Sequence, residues 1–308
     1  MSLSILVLCS IALSGVMWYQ EGAASSVISI PPIQIFFNNP AGKNNPITLE
    51  NELIVFIRSA RKSFDGAFYD LSSEKIADEL IALSTKGVRV RLVIERDTNE
   101  RPAMKRIRAA GIPIVCDDSD GLMHNKFAIV DGVAVWTGSY NPVSHGEEND
   151  NNAVLMYSPD LASRFSEEFT DMFAHRLFGS ARRGRPFDRL VALDAIGIAG
   201  TNIRTFFSPR HGIESIIAEL VRNASSSVHF MAFSFTSDLI GEALLENRRR
   251  GVDVHGIVEE RGALSPFSEY VKMIVEGMDV KIRRGRGVMH HKVIVIDGRI
   301  VITGSFNF

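Results

Sequence analysis

The 308-residue chain has little cysteine and almost no net charge, and both shortages exclude classes of protein. Its two cysteines, Cys9 and Cys116, build no disulfide framework. The sequence lacks the paired cysteines and the carboxylate-rich groups of histidines that would indicate a metal centre. We therefore expect neither a metal nor another cofactor. A net charge of −2 gives no global positive field for nucleic acid, although a local patch remains compatible with it.

The first twenty residues also lack charge, and the first charged residue is Glu21. This run is short for a membrane span, whereas a secretory signal peptide fits its length, and the following EGAASS allows cleavage after Ala24. Residues 1–24 are therefore predicted to be a signal peptide or an N-terminal anchor. The protein would then be exported, to the periplasm or outside the cell, or anchored to the membrane. A mis-assigned start or a buried helix is the alternative.

What the sequence does contain is an internal repeat. GLMHNKFAIVDGVAVWTGSYNP at 121–142 recurs as GVMHHKVIVIDGRIVITGSFNF at 287–308, 166 residues later. The register matches His124 with His290 and leaves His291 in the variable slot of Asn125. Further upstream, GVRVRLVIE matches GVDVHGIVE and YDLSSEKIADEL matches FSFTSDLIGEAL, both at a spacing of 164. The duplication therefore covers nearly all of the chain after residue 30.

Alternating apolar patterns in each repeat predict strand, helix, strand, helix and strand, then a helix, a short strand and a hairpin that carries the repeated motif. Asp131-Gly132 and Asp297-Gly298 are tight-turn signals for the hairpins. The predicted fold class is α/β, with two pseudo-symmetric repeats, each a mixed, mostly parallel sheet flanked by helices. We place the first repeat at 31–178, a linker at 179–201 and the second repeat at 202–308.

The first repeat continues past its motif with a predicted strand at 152–157 and a helix at about 159–177, whereas the second stops at Phe308. The second sheet is therefore expected to lack a strand and its core a covering helix. On this interpretation the second repeat is incomplete, and the natural gene encodes at least about 35 further residues.

The repeated residues suit chemistry on a phosphodiester, whose negative oxygens repel nucleophiles. Such a reaction needs positive donors, a nucleophile and an acid for the leaving group. Positions i and i+2 of a strand share a face, so each histidine is expected beside the lysine of its own motif, Lys126 or Lys292. The predicted phosphate-binding donors are Ser139, Asn141, Ser305 and Asn307. Gly138 and Gly304 would let the backbone approach closely.

The pattern H-x-K-x4-D-x6-G-S-x-N, present twice, resembles the HKD signature of the phospholipase D superfamily, and the stretch after the first motif resembles its small nuclease-like and cardiolipin-hydrolase-like bacterial branch. The resemblance covers residues from about 33 to 308. It implies the phospholipase D fold, a phosphohistidine intermediate and a reaction without metal. It also implies His124 as the nucleophile and His290 as the acid and base. The implied catalytic set is His124, Lys126, Asp131, His290, Lys292 and Asp297, although the position of the two aspartates at hairpin tips also indicates turn formation.

One residue departs from the family pattern. Close single-repeat relatives carry a glutamate, about ten residues after the motif asparagine, that orients the histidine. Here Asn151 occupies that slot, with Asp150 beside it. The orientation of the histidines is therefore the part of the resemblance most in need of structural evidence.

The substrate is less constrained than the chemistry. The preferred interpretation is a phosphodiesterase acting on a phospholipid such as phosphatidylcholine or cardiolipin, with peripheral membrane contact and a site formed within one chain. The alternatives are a metal-independent endonuclease on single- or double-stranded nucleic acid, a phosphatidyltransferase, and an inactive phosphate-binding module.

Two loops of opposite charge precede the histidines. DDSDG at 117–121 aligns with RRGRG at 283–287, so Asp117, Asp118 and Asp120 correspond to Arg283, Arg284 and Arg286. The loops are either solvated surface or the two sides of a polarised groove. In the groove, the arginines would hold substrate phosphate and the aspartates would limit entry.

Overall fold

A computed structural model of the chain describes residues 3–10, 31–38, 48–119, 121–179 and 194–308. The described residues form two α/β units with matching element order, which confirms the predicted fold class. The first unit contains β2 (Ile33–Phe37), α1 (Leu49–Ser59), β3 (Ser63–Phe68), α2 (Glu74–Thr85), β4 (Arg89–Ile94), α3 (Pro102–Ala109), β5 (Ile114–Cys116), β6 (Lys126–Val130), β7 (Ala134–Gly138), β8 (Asn152–Tyr157) and α4 (Pro159–Phe173).

The second unit repeats most of this order. It contains β9 (Ile196–Ile198), β10 (Thr201–Ser208), α5 (Ile213–Arg222), β11 (Ser227–Ala232), α6 (Asp238–Arg249), β12 (Asp253–Glu259), α7 (Glu260–Ala263), α8 (Tyr270–Val275), β13 (Asp279–Arg283), β14 (Lys292–Ile296) and β15 (Ile300–Gly304). A further strand, β1 (Leu3–Ser10), comes from the start of the chain.

Both sheets are mixed. The first has the order β2-β8-β7-β6-β3-β4-β5, and the second β13-β12-β11-β14-β15-β1-β10-β9. Parallel pairing is confined to β3-β4-β5 and β11-β12-β13, a smaller share than the sequence indicated. The other pairs are antiparallel. Among them, β6-β7 and β14-β15 are tight hairpins closed by the Asp-Gly turns of the repeated motif.

The first strand fills a position that the sequence predicted to be empty. β1 lies between β15 and β10, antiparallel to both, as β8 lies between β7 and β2 in the first sheet. The expected missing strand of the second sheet is thus supplied by Leu3–Ser10. The predicted signal peptide or anchor overlaps this strand, because an uncharged apolar run also suits a buried strand. Residues 11–24 lie outside the described part, and export stays a prediction.

Local signals account for the helix starts. Thr48, Ser73, Ser158 and Ser237 each place a side-chain oxygen on a backbone N–H of the first turn of the helix that follows. Pro102 and Pro159 begin α3 and α4, where a missing N–H costs little. Within the described ranges, no helix is long and apolar enough to cross a membrane.

The units meet through a shared apolar cluster. The ring of Phe207 on β10 lies 5.2 Å from that of Phe165 on α4 and 6.3 Å from that of Phe127 on β6. These side chains are almost fully buried. The contact fixes the two sheets relative to each other, and with them the two copies of the motif.

The structure locates the motif histidines and part of the predicted linker. β6 and β14 begin at Lys126 and Lys292, so the histidines precede the strands. The predicted linker at 179–201 contains β9, which pairs with β10 through the hairpin at Ala199 and Gly200. Residues 180–193 of that linker lie outside the described part.

Candidate active site

The two motif histidines are held by crossed hydrogen bonds. Nδ1 of His124 lies 3.2 Å from the backbone oxygen of Ser305, and Nδ1 of His290 lies 2.9 Å from the backbone oxygen of Ser139. Each imidazole is thus fixed by the Gly-Ser segment of the opposite unit. The pair predicted from the repeat comes together in one site, and it does so only where both units meet.

These bonds also fix the protonation of the rings. A carbonyl oxygen can only accept, so Nδ1 of each histidine carries the proton and donates it. In the neutral imidazole, Nε2 then holds a free lone pair. His124 and His290 are both arranged as nucleophiles or bases at Nε2.

The surroundings of His290 include a second acceptor. Its Nδ1 lies 3.0 Å from Oδ1 of Asn151, and the same Oδ1 accepts a hydrogen bond from the Ser139 hydroxyl at 2.9 Å. Because the protonated Nδ1 can only donate, the amide atom that faces it is the oxygen rather than the nitrogen. Asn151 therefore does lie at a histidine, as its slot in the sequence indicated, and that histidine belongs to the other unit.

Lysines lie beside both histidines, as the motif predicted. Nζ of Lys126 donates to the backbone oxygen of His124 at 3.0 Å, and Nζ of Lys292 to that of His290 at 2.8 Å. Both side chains are 1% exposed. The ammonium groups are therefore held by backbone oxygens rather than by carboxylates, which leaves their charge available to an anion.

An aromatic ring supports each histidine and lysine. The ring of Tyr69 lies 4.7 Å from that of His124 and 5.0 Å from Nζ of Lys126. Phe233 does the same in the second unit, at 4.9 Å from His290 and 4.9 Å from Nζ of Lys292. The sequence reasoning missed this pair, although both residues stand at matching positions of the repeat.

A buried glutamate anchors the residue before each histidine. Oε2 of Glu95 accepts the backbone N–H of Met123 at 2.6 Å, and Oε2 of Glu259 accepts that of Met289 at 2.7 Å. Glu95 follows the parallel strand β4 and Glu259 ends the parallel strand β12, and both are almost fully buried. Because these N–H groups bond to side chains, the ladder of the hairpin starts only after the histidines. The repeat comparison contained this pair too, as the last residue of its matched strands.

A short backbone bridge between the units carries His290. The N–H of Asp150 donates to Val288 at 2.8 Å, and the N–H of His290 donates back to Asp150 at 2.8 Å. Gly287 makes the approach possible, since a β-carbon there would lie 1.8 Å from the backbone oxygen of Glu148. The position of His290 thus depends directly on residues 148–150 of the first unit.

Burial and charge disfavour the protonated forms of the histidines and lysines in the empty site. Burial lowers the pKa of His124 and His290 well below the ordinary value of 6.5, and the two lysines lower it further. Burial likewise lowers the pKa of Lys126 and Lys292 well below 10.5. A bound anion would reverse these shifts by stabilising the charged forms.

The predicted phosphate donors fall into two groups. Asn141 and Asn307 each have a buried side-chain oxygen without a hydrogen-bond partner among the described residues. That oxygen can only accept, so any bond to a phosphate oxygen would come from the NH2 group of the same amide. The Ser139 hydroxyl instead bonds to Asn151 within the protein, and Ser139 and Ser305 hold the histidines through their carbonyl oxygens. Gly138 has φ +156°, and a β-carbon there would lie 2.3 Å from the backbone oxygen of Asn152, so its close approach is to β8.

The two motif aspartates lie at the hairpin turns. Oδ1 of Asp131 accepts backbone N–H groups from Lys62 and Ser63 at 2.7 and 2.8 Å, and Asp297 does the same for Ser226 and Ser227. Both lie just past the far end of their strands, five residues beyond the motif lysines, which is roughly 17 Å at about 3.3 Å per residue. The structure gives both residues a role in the turn, which needs an acceptor at φ +53° that also caps the preceding loop, and their catalytic role stays a prediction.

The arginines of the second loop pair with acids elsewhere. Arg283 pairs with Asp150 at 2.9 Å, Arg286 with Glu148 at 3.6 Å and Arg284 with Glu260 at 3.2 Å. Asp117 is buried and accepts the backbone N–H of Ser119 at 2.7 Å, while Asp120 lies outside the described residues. Two of the three arginines thus bind acids at the bridge between the units, and the polarised groove stays a prediction.

The variable-slot histidine is also buried. Nδ1 of His291 lies 2.9 Å from Oδ1 of Asn152, whose amide donates to the Thr303 hydroxyl at 2.8 Å. Burial lowers the pKa of His291 to about 4. His291 is therefore a neutral residue of the contact between the units.

Two duplicated α/β units that bring a histidine and a lysine each into one cleft define the phospholipase D superfamily. A family model described as "Cardiolipin synthase, PLD-like domain" matches residues 53–173 and 217–308, which is more than half of the chain. The chain belongs to this family of phospholipase D-like domains.

Curated relatives match over part of their length. The Phospholipase D of Rickettsia prowazekii is 33% identical over 111 residues, 36% of this chain and 54% of the relative. The Mitochondrial cardiolipin hydrolase of Xenopus laevis is 32% identical over 122 residues, 39% of this chain and 58% of the relative. The match thus spans little more than half of these relatives. The solved phosphatidylserine synthase of Haemophilus influenzae shares the fold, with a TM-score of 0.61, 12% identity and coverage of 89% of this chain and 82% of that one.

Proposed function

We propose that this protein is a phosphodiesterase that hydrolyses phospholipids through a phosphohistidine intermediate. The observation that carries the proposal is the crossed pair of Nδ1–carbonyl bonds. They leave two Nε2 lone pairs in a site that also holds two buried lysines. The curated relatives named above favour a lipid substrate.

In the proposed first step, Nε2 of His124 attacks phosphorus and the bond from phosphorus to the head-group oxygen breaks. His290, protonated once the anionic substrate is bound, gives its Nε2 proton to the departing alcohol. The two acceptors on Nδ1 of His290 suit a ring that becomes positively charged, whereas His124 has a single, longer bond there among the described residues.

In the second step, neutral His290 takes a proton from water, and the oxygen of that water attacks phosphorus. The phosphorus–nitrogen bond breaks and the phosphate leaves on the lipid. The lysines and the amides of Asn141 and Asn307 balance the charge on the phosphate oxygens throughout.

The proposal is tested with head-group-labelled phosphatidylcholine and cardiolipin vesicles, alongside single-stranded DNA and RNA, with and without a chelator. Head-group release that persists with chelator, and that is lost in His124→Ala, is expected. Cleavage of nucleic acid alone, or strict dependence on an added metal, would overturn the proposal.

A further inference from the structure

An exposed apolar surface begins after α7 in the second unit. Of the ten large apolar side chains that are exposed among the described residues, five fall within residues 264–275. They are Leu264 (73% exposed), Phe267 (77%), Val271 (56%), Ile274 (41%) and Val275 (79%), and we refer to them as the apolar ridge. So many exposed apolar side chains in one short segment are a feature of interaction surfaces.

The fold does not require this ridge. The corresponding segment of the first unit, around α3, is covered by charged side chains. Arg101, Lys105 and Arg106 lie there and pair with neighbouring acids. The same element of the duplicated architecture is thus polar in one unit and apolar in the other, which sets the second unit apart.

The ridge starts at the edge of the sheet where the site lies. β11, β12 and β13 are parallel, so their carboxyl ends share one edge. Phe233 follows β11 and contacts His290, and α7 follows β12. A β-carbon at Gly262 would lie 2.2 Å from the backbone oxygen of Phe233, so the chain just before Leu264 packs on the support of His290.

Positive charge flanks the ridge at the same edge. Arg284 and Arg286 follow β13, and their side chains are 73% and 87% exposed despite their carboxylate partners. Exposed ion pairs of this kind stabilise little, so the guanidinium groups can exchange their partners for other anions. Arginine matches phosphate through its planar fork of donors.

From these observations we propose that the apolar ridge and the two arginines form a docking surface for an anionic phospholipid bilayer. The apolar side chains enter the boundary between head groups and acyl chains, and the arginines bind lipid phosphates. The docked protein presents its site to the membrane surface. This inference rests on the proposed function for its purpose, although binding can be measured without catalysis.

The test uses the double variant Leu264→Ser/Phe267→Ser and a matched control, Val55→Ser/Val133→Ser. The control alters two exposed apolar residues of the first unit, one on α1 and one in the turn between β6 and β7. Binding is measured by co-sedimentation with vesicles of phosphatidylcholine alone and of phosphatidylcholine with phosphatidylglycerol. Hydrolysis is measured on those vesicles and on bis(p-nitrophenyl) phosphate, a soluble diester.

We expect the ridge variant to bind mixed vesicles at least about tenfold more weakly, because burying one large apolar side chain changes an equilibrium by about that factor. Its rate on vesicles should fall while its rate on the soluble diester stays, and the control should behave as wild type. Arg284→Ser/Arg286→Ser should remove the preference for anionic vesicles and flatten its salt dependence.

Three results would overturn the docking surface. One is wild-type vesicle binding by the ridge variant. Another is loss of self-association in that variant by sedimentation equilibrium, since the ridge would then join two copies of the chain. The third is an equal loss of cleavage on single-stranded DNA. A wild-type protein that binds vesicles through the ridge but cleaves no diester would leave the surface standing and refute the proposed function instead.

Discussion

The side-chain oxygen of Asn151 lies 3.0 Å from Nδ1 of His290, across the boundary between the two units. The amide oxygen accepts a hydrogen bond from the ring and so holds the ring in place. It carries no negative charge, so it does not stabilise an imidazolium as a carboxylate would. Asn151 is thus a positioning residue for the acid and base of the proposed reaction.

Asn151→Asp should raise the pKa of His290, because a carboxylate at that position favours the protonated ring. The limb of the kcat/KM profile that reports His290 should then move to higher pH. Asn151→Leu removes the acceptor and should lower kcat by about 10–100-fold, the usual effect of losing a partner that orients an imidazole. Unchanged pH profiles in both variants would show that Asn151 only fills space.

The two histidines should fail at different steps. With a p-nitrophenyl diester, whose leaving group needs no acid, His290→Ala should release about one equivalent of nitrophenol and accumulate a phosphorylated His124. His124→Ala should release none, and His291→Ala should keep most activity. The burst is followed by stopped flow and the adduct by mass spectrometry. A burst in His124→Ala would reverse the assigned roles.

Binding of an anion should take up protons. The pKa values of both histidines and both lysines are lowered in the empty site, first by burial, and a phosphate-like anion raises them. Calorimetry with tungstate near neutral pH, in buffers of different ionisation enthalpy, should show net proton uptake. The acid limb of the wild-type kcat/KM profile reports the pKa of His124 in the free enzyme. For the same reason it should lie below pH 6.5.

Gly287→Ala should impair activity more than Gly285→Ala. Both glycines have positive φ, +77° and +126°, so both variants strain the backbone. At Gly285 a β-carbon would meet nothing closer than 4.0 Å, whereas at Gly287 it would meet the backbone oxygen of Glu148 at 1.8 Å. Activity and melting temperature are measured for both variants. Equal losses of activity would mean that His290 does not depend on the close backbone approach at Gly287.

Asp297→Asn should lower stability without altering the chemistry. Burial alone would raise the pKa of Asp297, but the N–H groups of Ser227, Ser225 and Ser226 outweigh it and lower the pKa to about 2. The stabilisation is therefore complete above the unfolded value of about 3.8 and is lost as pH falls toward about 2. The variant should melt on the order of a few degrees lower at neutral pH, with a smaller difference in strong acid. A large loss of kcat at an unchanged melting temperature would return Asp297 to the catalytic set.

The sequence predicted what the repeat could encode. The shared register selected His290 over His291, and the alternation of periods predicted two matching α/β units. It also contained Glu95 with Glu259 and Tyr69 with Phe233, whose roles emerge only when the strands are placed side by side.

Other features depend on contacts between distant segments. The bond from Nδ1 of His290 to Ser139 joins residues 151 positions apart, and no local pattern encodes it. The same holds for β1, since an uncharged apolar run suits an export signal and a central strand equally well. The aspartates differ again, because membership in a motif does not distinguish a reacting group from the turn that holds it.

The crossed bonds from His124 to Ser305 and from His290 to Ser139 have a consequence for how such a site can evolve. In a pair of identical subunits, a change near one histidine is repeated at the other, so the two stay equivalent. In a fused duplication each histidine takes its surroundings from a separate stretch of one gene. Position 151 can vary beside His290 while the neighbours of His124 stay constant. Fusion thus permits the division of labour between the two rings that an acid–base partner and a nucleophile require.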